Sequence, residues 1–462
     1  MKKVNALAAL SSVAVESTLV DAKRFSTAGV GERVGFIMSG DVEKDGVVMA
    51  IPEAQAVTSI DAEKQEVVGT IAGSGVSELV ALTLWVLAER AKGAASAYAA
   101  LLGTLPDRTN TPLLWSDEEL GQLLFGSPVL AESMARKATL RSQWQAMHDE
   151  WFSKDPATFP ASTYGYEPFA NAFSVVLAHA IYLPSAGMFA LLPVASLFGR
   201  TGNSNGSDVD YDEATGRVVV TAGRPYREGQ ELLLNDERPN GEVFMATGTV
   251  PENNNSDYLN FPAELIESDK YFVMKQQILE SMGFETKQIF PVYLDRMPNQ
   301  LYAYVRLSRV MDPALFAKVS FDQDVVLSQM NEYESLQVLM GDCRERLAAY
   351  IGTLEEDIKM SQRSELSVRE KLAVRLRLTE KRILSKTMDA VRTKLAPVRG
   401  IPTKSGTFKD ANSDLVEIFD ALESIPAAPA ALVNSFLSWA KGEQDPDWGK
   451  PRPKKDLPKR PW

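Results

Sequence analysis

The chain has 462 residues, with 61 acidic and 49 basic side chains and a formal net charge of −12. That length suits two or three domains, and the acidic balance argues against nucleic acid as the main ligand. Cys343 is the single cysteine and His148 and His179 the two histidines, which excludes an internal disulfide and a His/Cys zinc set. No stretch approaches the roughly 18 apolar residues that span a membrane.

Residues 1–15 combine a basic start, Lys2-Lys3, with a weakly apolar Ala/Ser-rich run. They read as a first strand or helix, with a signal or transit remnant as the alternative. Residues 29–52 read as two short strands joined by a turn, the second closed by Pro52, which cannot donate to a ladder. From residue 77 the period becomes helical. Leu79, Leu82, Val86 and Leu87 share a face, and Gly93 ends that helix. Ser116 and Glu119 form a capping box for the next helix, and 129–153 is a longer charged helix. Phe169 to Tyr182 is predicted as an apolar helix carrying His179.

Residues 189–192 then read as a buried strand ended by Pro193, and Gly199-Arg200-Thr201-Gly202-Asn203 as turn chemistry. Val209–Tyr211 and Arg217–Thr221 read as a hairpin around Gly216. From about 262 to 395 the chain is predicted to be helical. Leu336, Met340, Cys343, Leu347, Ile351, Leu354 and Ile358 recur at three or four residues, with Cys343 as core filler. Beyond Pro397 one helix is expected at about 412–424 and a second at Leu432 to Trp439. The segment Trp448 to Trp462 has six basic residues, one acid and four prolines, a composition that favours extended backbone. It reads as a flexible tail or as an arm along an acidic partner. No P-loop, HExxH, CxxC pair or Ser/His/Asp triad appears.

Phe189, Leu191, Pro193, Ala195 and Leu197 keep the frame of a motif found in the SET-domain Rubisco large-subunit methyltransferase group. Asp41-Val42 with Val47 to Pro52, the run Pro112-Leu113-Leu114-Trp115-Ser116 followed by Gly126-Ser127-Pro128, and Asn240-Gly241-Glu242 also match it. The chain resembles that group over about residues 29–395. The resemblance implies an α+β fold: a SET β-fold split by a helical insert, then an all-α C-terminal domain and a Pro/basic tail. The corresponding boundaries are 1–76 and 161–261 for the two SET parts, 77–160 for the insert, 262–396 for the helical substrate-binding-like domain and 397–462 for the extension.

In such enzymes S-adenosylmethionine binds on one face and a lysine amine enters from the other. The resemblance assigns Glu32, Gly35, Phe36, His179, Gly199, Arg200 and Tyr258 to the cofactor pocket. Most of that pocket's polar residues are exchanged here. Ser196 stands in the place of the family Asp, Gly199 of the Asn, Arg200 of the His and His179 of the Arg. Arg33 replaces a glycine, and Thr247 replaces the Tyr that meets the amine. No catalytic residue and no cofactor are therefore expected, with S-adenosylmethionine implied only if the chain is active. The expectation is a degenerate SET protein serving as a protein-binding or structural subunit of a larger, plastid assembly, contacted through the helical domain and tail. The alternative is an active S-adenosylmethionine-dependent protein-lysine N-methyltransferase with an altered pocket, and a cofactor sensor is a third reading.

Overall fold

A computed structural model describes residues 19–27, 31–203 and 205–398. The expected first element at 1–15, the helices beyond 412 and the tail lie outside them. The described chain divides into two units: one takes residues up to 257 together with 356–377, and the other takes 258–355 and the residues from 378.

The first unit is built from small sheets. β1 (Val20–Thr27) pairs antiparallel with β2 (Gly31–Met38). β3 (Val47–Pro52) pairs with β9 (Arg217–Thr221), which pairs in turn with β8 (Asp208–Asp212). β4 (Val57–Thr58) and β5 (Ala180–Leu183) flank β6 (Met188–Leu191). β7 (Gly199–Thr201) runs parallel to β10 (Leu233–Asn235). Along β9 burial alternates, and Val218 and Val220 point into a core with Phe36, Met38, Ile51, Leu192 and Leu234.

Two expectations change here. The strands at 29–52 exist, but they do not pair with each other: β2 joins β1 and β3 joins β9. Residues 199–201, read as turn, form β7. Their glycine and short polar neighbours hide a strand whose partner lies more than thirty residues away.

The helical insert follows its sequence signals. Glu78–Lys92 is capped by Ser77 and ended by Gly93 in a positive-φ conformation. Ser116 and Glu119 close their reciprocal capping box ahead of Asp117–Leu124. Pro128–Met147 runs on into a single π-helical turn, His148–Phe152. The apolar helix Tyr166–His179 stops at His179, and Ala180 starts β5.

The second unit is not all-α. It opens with β11 (Tyr258–Glu264), paired antiparallel with β12 (Lys287–Tyr293). In β12, Phe290 and Val292 face the core while Lys287 and Ile289 are exposed, a period-2 pattern short enough to be lost beside the long helical stripe. Four helices follow or intervene: Phe272–Ser281, Asn299–Ser308, Gln329–Ala349 and the later part of Val368–Leu395. Cys343 is fully buried among Leu336, Leu339 and Met340, and burial pushes its thiol up to about 12, as a core residue requires. The first turns of Val368–Leu395 belong to the first unit. There Leu372, Ala373 and Leu376 pack on Trp115 and Phe244, and Arg377 forms a buried pair with Asp357 at 2.6 Å.

Candidate functional site

The chain between β6 and β7 is locally strained. Val194 sits fully buried at φ 63°, a region that a β-branched residue rarely enters. It starts the short turn Ala195–Leu197. The Ser196 hydroxyl donates to the Thr104 carbonyl at 2.8 Å, so this residue ties the motif to the helical insert. Phe198 then meets Phe36 of β2 at 5.2 Å between ring centres. Phe36 is a fully buried core side chain, and Gly35 beside it is buried as well. Glu32 and Arg33 lie in β2 opposite Ser26 and Phe25.

β7 and β10 bring charge together. Asp236 follows β10, with its side chain 5% exposed, and receives both Nε and Nη2 of Arg238 at 2.7 Å. Arg200 approaches the same carboxylate from β7, its Nη1 3.6 Å from Oδ2. Burial alone would raise the Asp236 carboxyl. The Arg238 fork and the Arg200 charge override it and hold the group below its usual range. Burial raises Glu242, whose environment also includes Glu132 and Arg238.

His179 faces Arg200, and burial with that positive charge pushes its imidazole down to about 4. The ring is therefore neutral at ordinary pH. An unfolded histidine titrates near 6.5, so below that pH the unfolded chain takes up a proton that the folded chain refuses. Stability should fall as pH drops from about 6.5 toward 4, by at most about 3 kcal/mol. Comparing urea midpoints of the wild type and His179→Gln across this window checks the claim. The variant should lose the His179 share of the slope.

The exit of β7 is laced to the Asn-rich turn. Ser256 Oγ donates to the Gly202 carbonyl at 2.8 Å, and Asn254 Nδ2 donates to Arg238 O at 2.9 Å and to Asn240 Oδ1 at 3.0 Å. Asn240 N donates to Asp257 Oδ1 at 2.8 Å. Among the described residues two buried acceptors here have no partner, Asn203 Oδ1 and Asn235 Oδ1. Asn203, Asn235, Asp236 and Arg238 are missing from the sequence-derived site. The available signal was the polar block Asn235 to Arg238 directly after the apolar Leu232 to Leu234.

Thr247 ends the helix Asn240–Thr247. Its hydroxyl donates to the Val243 carbonyl at 2.7 Å, lies 2.7 Å from Thr249 Oγ1 and accepts from Thr249 N at 3.2 Å. All of its hydrogen-bonding capacity is spent within two turns of its own chain. Gly248 follows at φ 70°, and an added Cβ would stand 2.4 Å from the Asn110 carbonyl carbon, so only glycine fits. Tyr258 belongs to the second unit. It opens β11, 5.5 Å from the Tyr293 ring, and the Arg296 guanidinium lies 4.1 Å over that Tyr293 ring. Beside Tyr293, Arg296 and Met297 is a cavity of about 180 Å³.

Among the described residues no cluster of His, Cys, Asp and Glu could hold a metal, and no helix is long and apolar enough to cross a membrane. A family model described as Rubisco LSMT substrate-binding matches residues 266–384. The chain is 23% identical over 381 residues to the chloroplastic Rubisco large subunit N-methyltransferase of Nicotiana tabacum, covering 79% of this chain and 77% of that one. It is 24% identical to the chloroplastic fructose-bisphosphate aldolase-lysine N-methyltransferase of Arabidopsis thaliana, covering 77% and 76%. It is also 24% identical to the actin-histidine N-methyltransferase of Homo sapiens, covering 77% and 63%. A solved structure of Rubisco LSMT bound to sinefungin and monomethyllysine matches with a TM-score of 0.68 and 21% identity, over 90% of this chain and 99% of that one. Another, bound to AdoMet, matches with a TM-score of 0.66 and 21% identity, over 91% and 99%. The SET-type sheets, the helical insert and the matched C-terminal region agree with one another: residues 266–384 match the Rubisco LSMT substrate-binding family, and the chain has the fold of the solved SET-domain LSMT structures.

Proposed function

We propose that this chain is an S-adenosylmethionine-dependent protein N-methyltransferase with an altered pocket, acting on a protein presented by its second unit. The observation that carries this reading is the relatedness: lysine and histidine N-methyltransferases align over 77–79% of the chain. The comparisons support methyl transfer better than the purely structural role that the exchanged polar residues suggest. Chloroplastic relatives support a plastid location.

The first unit has groups that suit the cofactor. Asn203 Oδ1 and Asn235 Oδ1 are buried acceptors without partners among the described residues, and such groups cost free energy until a donor reaches them. The ammonium and adenine amine of S-adenosylmethionine are donors of that kind. When bound, the cofactor supplies an electrophilic methyl group. The chain's part is to orient the acceptor nitrogen and keep it dry. With Thr247 committed to its own helix, this pocket takes the acceptor amine already deprotonated. Incubation with methyl-labelled S-adenosylmethionine and candidate plastid proteins, followed by mass spectrometry for N-methyl-lysine and N-methyl-histidine, tests this. New methylation that disappears without the chain supports it, and no methylation with any acceptor contradicts it.

One observation favours a second reading, a protein-binding subunit without catalysis. The Thr247 hydroxyl has no capacity left for an incoming amine. On that reading the chain would co-purify with a stable assembly, through the second unit and tail, and methylate nothing.

A further inference from the structure

The helical insert holds a cavity of about 260 Å³ that methyl transfer does not use. Its wall is made by small side chains. Ala88 and Ala91 lie three residues apart on one face of the helix Glu78–Lys92 and leave room that larger residues would fill, with Val67 and Ala157 beside them. Tyr164 ends the short helix Ala161–Tyr164, lines the cavity and is 3% exposed. Its ring is held between Phe159 and Phe152, at 5.1 and 5.5 Å between centres, and Phe152 comes from the π-helical turn. Its carbonyl accepts from Trp144 Nε1 at 2.9 Å. The Tyr164 hydroxyl makes no hydrogen bond among the described residues, and burial alone lifts it to about 12, so it stays protonated and keeps its donor free. Lys92 lines the same cavity. Its ammonium is anchored on the buried Glu89 carboxylate at 2.6 Å, which Ser96 holds from the other oxygen at 2.6 Å. That contact uses one of three N–H donors. A buried tyrosine hydroxyl usually finds a partner, and leaving it without one is costly. An O–H and an ammonium lining one apolar cavity are matched by an oxyanion on a hydrocarbon body.

We propose that this cavity binds a small free carboxylic acid with a compact apolar body, its carboxylate shared between the Tyr164 hydroxyl and the Lys92 ammonium. The volume lies just below the roughly 300 Å³ at which ordinary ligand pockets begin, which limits the body to a short chain or a single ring. The place is separate from the residues around β7. Tyr164 precedes and His179 ends the helix Tyr166–His179, whose 14 residues span about 20 Å. The inference therefore stands whether or not the chain transfers methyl groups. The full chain is titrated with benzoate and hexanoate, and with their neutral counterparts benzamide and hexanamide, by calorimetry and ligand-observed NMR. Each probe is applied to the wild type, Tyr164→Phe, Lys92→Gln and Ala91→Leu. Tyr164→Phe keeps the ring between its phenylalanines and removes only the hydroxyl. Ala91→Leu fills the cavity from an exposed helix position.

The expected result is saturable binding of at least one acid to the wild type with a Kd of about 1 mM or tighter, and roughly tenfold weaker binding of its amide. Tyr164→Phe and Lys92→Gln should each lose about tenfold in affinity for the acid, and Ala91→Leu should abolish binding. No saturable binding of either acid up to about 10 mM, equal binding of acid and amide, unchanged affinity in Tyr164→Phe, or binding that survives Ala91→Leu overturns the proposal. Matching thermal melts of the four proteins exclude misfolding as the cause.

Discussion

Thr247→Tyr is expected to raise the rate of lysine methyl transfer on the order of 10²-fold, the lower end of what a positioned proton-handling group contributes. The wild-type hydroxyl is short and already bonded to the Val243 carbonyl and the Thr249 hydroxyl. An aromatic hydroxyl from the same helix end projects several ångströms farther, past the half-buried position of Thr247. Thr247→Val should change the rate less than about threefold, because the group it removes serves only its own helix. Affinity for S-adenosylhomocysteine should be alike in all three proteins. Single-turnover methylation of an identified acceptor checks the series. An unchanged rate in Thr247→Tyr would show that the acceptor nitrogen does not approach this position. The wild type should gain activity as pH rises toward the intrinsic lysine value near 10.4, since nothing at position 247 removes the proton, and Thr247→Tyr should flatten that rise.

Arg306→Ala is expected to cost the second unit about 3–5 kcal/mol, the penalty for removing one member of a buried ion pair. Arg306 is 3% exposed and Glu332 4% exposed. They are joined by Nε–Oε2 at 2.5 Å and Nη2–Oε1 at 2.8 Å, and Asp324 adds a contact at 2.7 Å. Alanine strands the Glu332 carboxylate away from water and leaves Asp324 with Lys394 at 2.6 Å. Hydrogen exchange of amides in Asn299–Ser308 and Gln329–Ala349 reads the effect locally, which suits a chain of two units better than one global melt. Replacing both partners, Arg306→Met with Glu332→Leu, should recover most of the loss, because the expense lies in the orphaned charge. A single variant as protected as the wild type would contradict this view of the core.

Local signals in the sequence were reliable where one element decides its own shape. The capping box at Ser116 and Glu119, the glycine stop at Gly93 and the Val209–Thr221 hairpin needed only their neighbours, and all three are present. Non-local pairing was not legible. β7 is three residues of glycine, arginine and threonine, and only β10, far along the chain, makes it a strand. The same holds for β3 with β9, and for the segment 356–377, which leaves the second unit's stretch of sequence to pack in the first.

The candidate site divides along the same line. The apolar frame residues Phe189, Leu191, Ala195 and Leu197 are buried as their character predicts, because apolar burial is written in single residues. Buried charge is not. Asp236 with Arg238, Asp357 with Arg377 and Glu332 with Arg306 read in sequence as ordinary surface charges, and each is sheltered only because a distant element covers it. The neutrality of His179 likewise follows from burial beside Arg200, two residues brought together by the turn of β5 and β6.

On the proposed function, a kept frame with exchanged polar residues still holds the cofactor. Calorimetric titration of the full chain with S-adenosylhomocysteine at neutral pH tests it most directly. Saturable one-to-one binding in the micromolar range is expected. No heat of binding up to millimolar ligand would contradict it, and would leave a SET-type fold used for protein contacts alone.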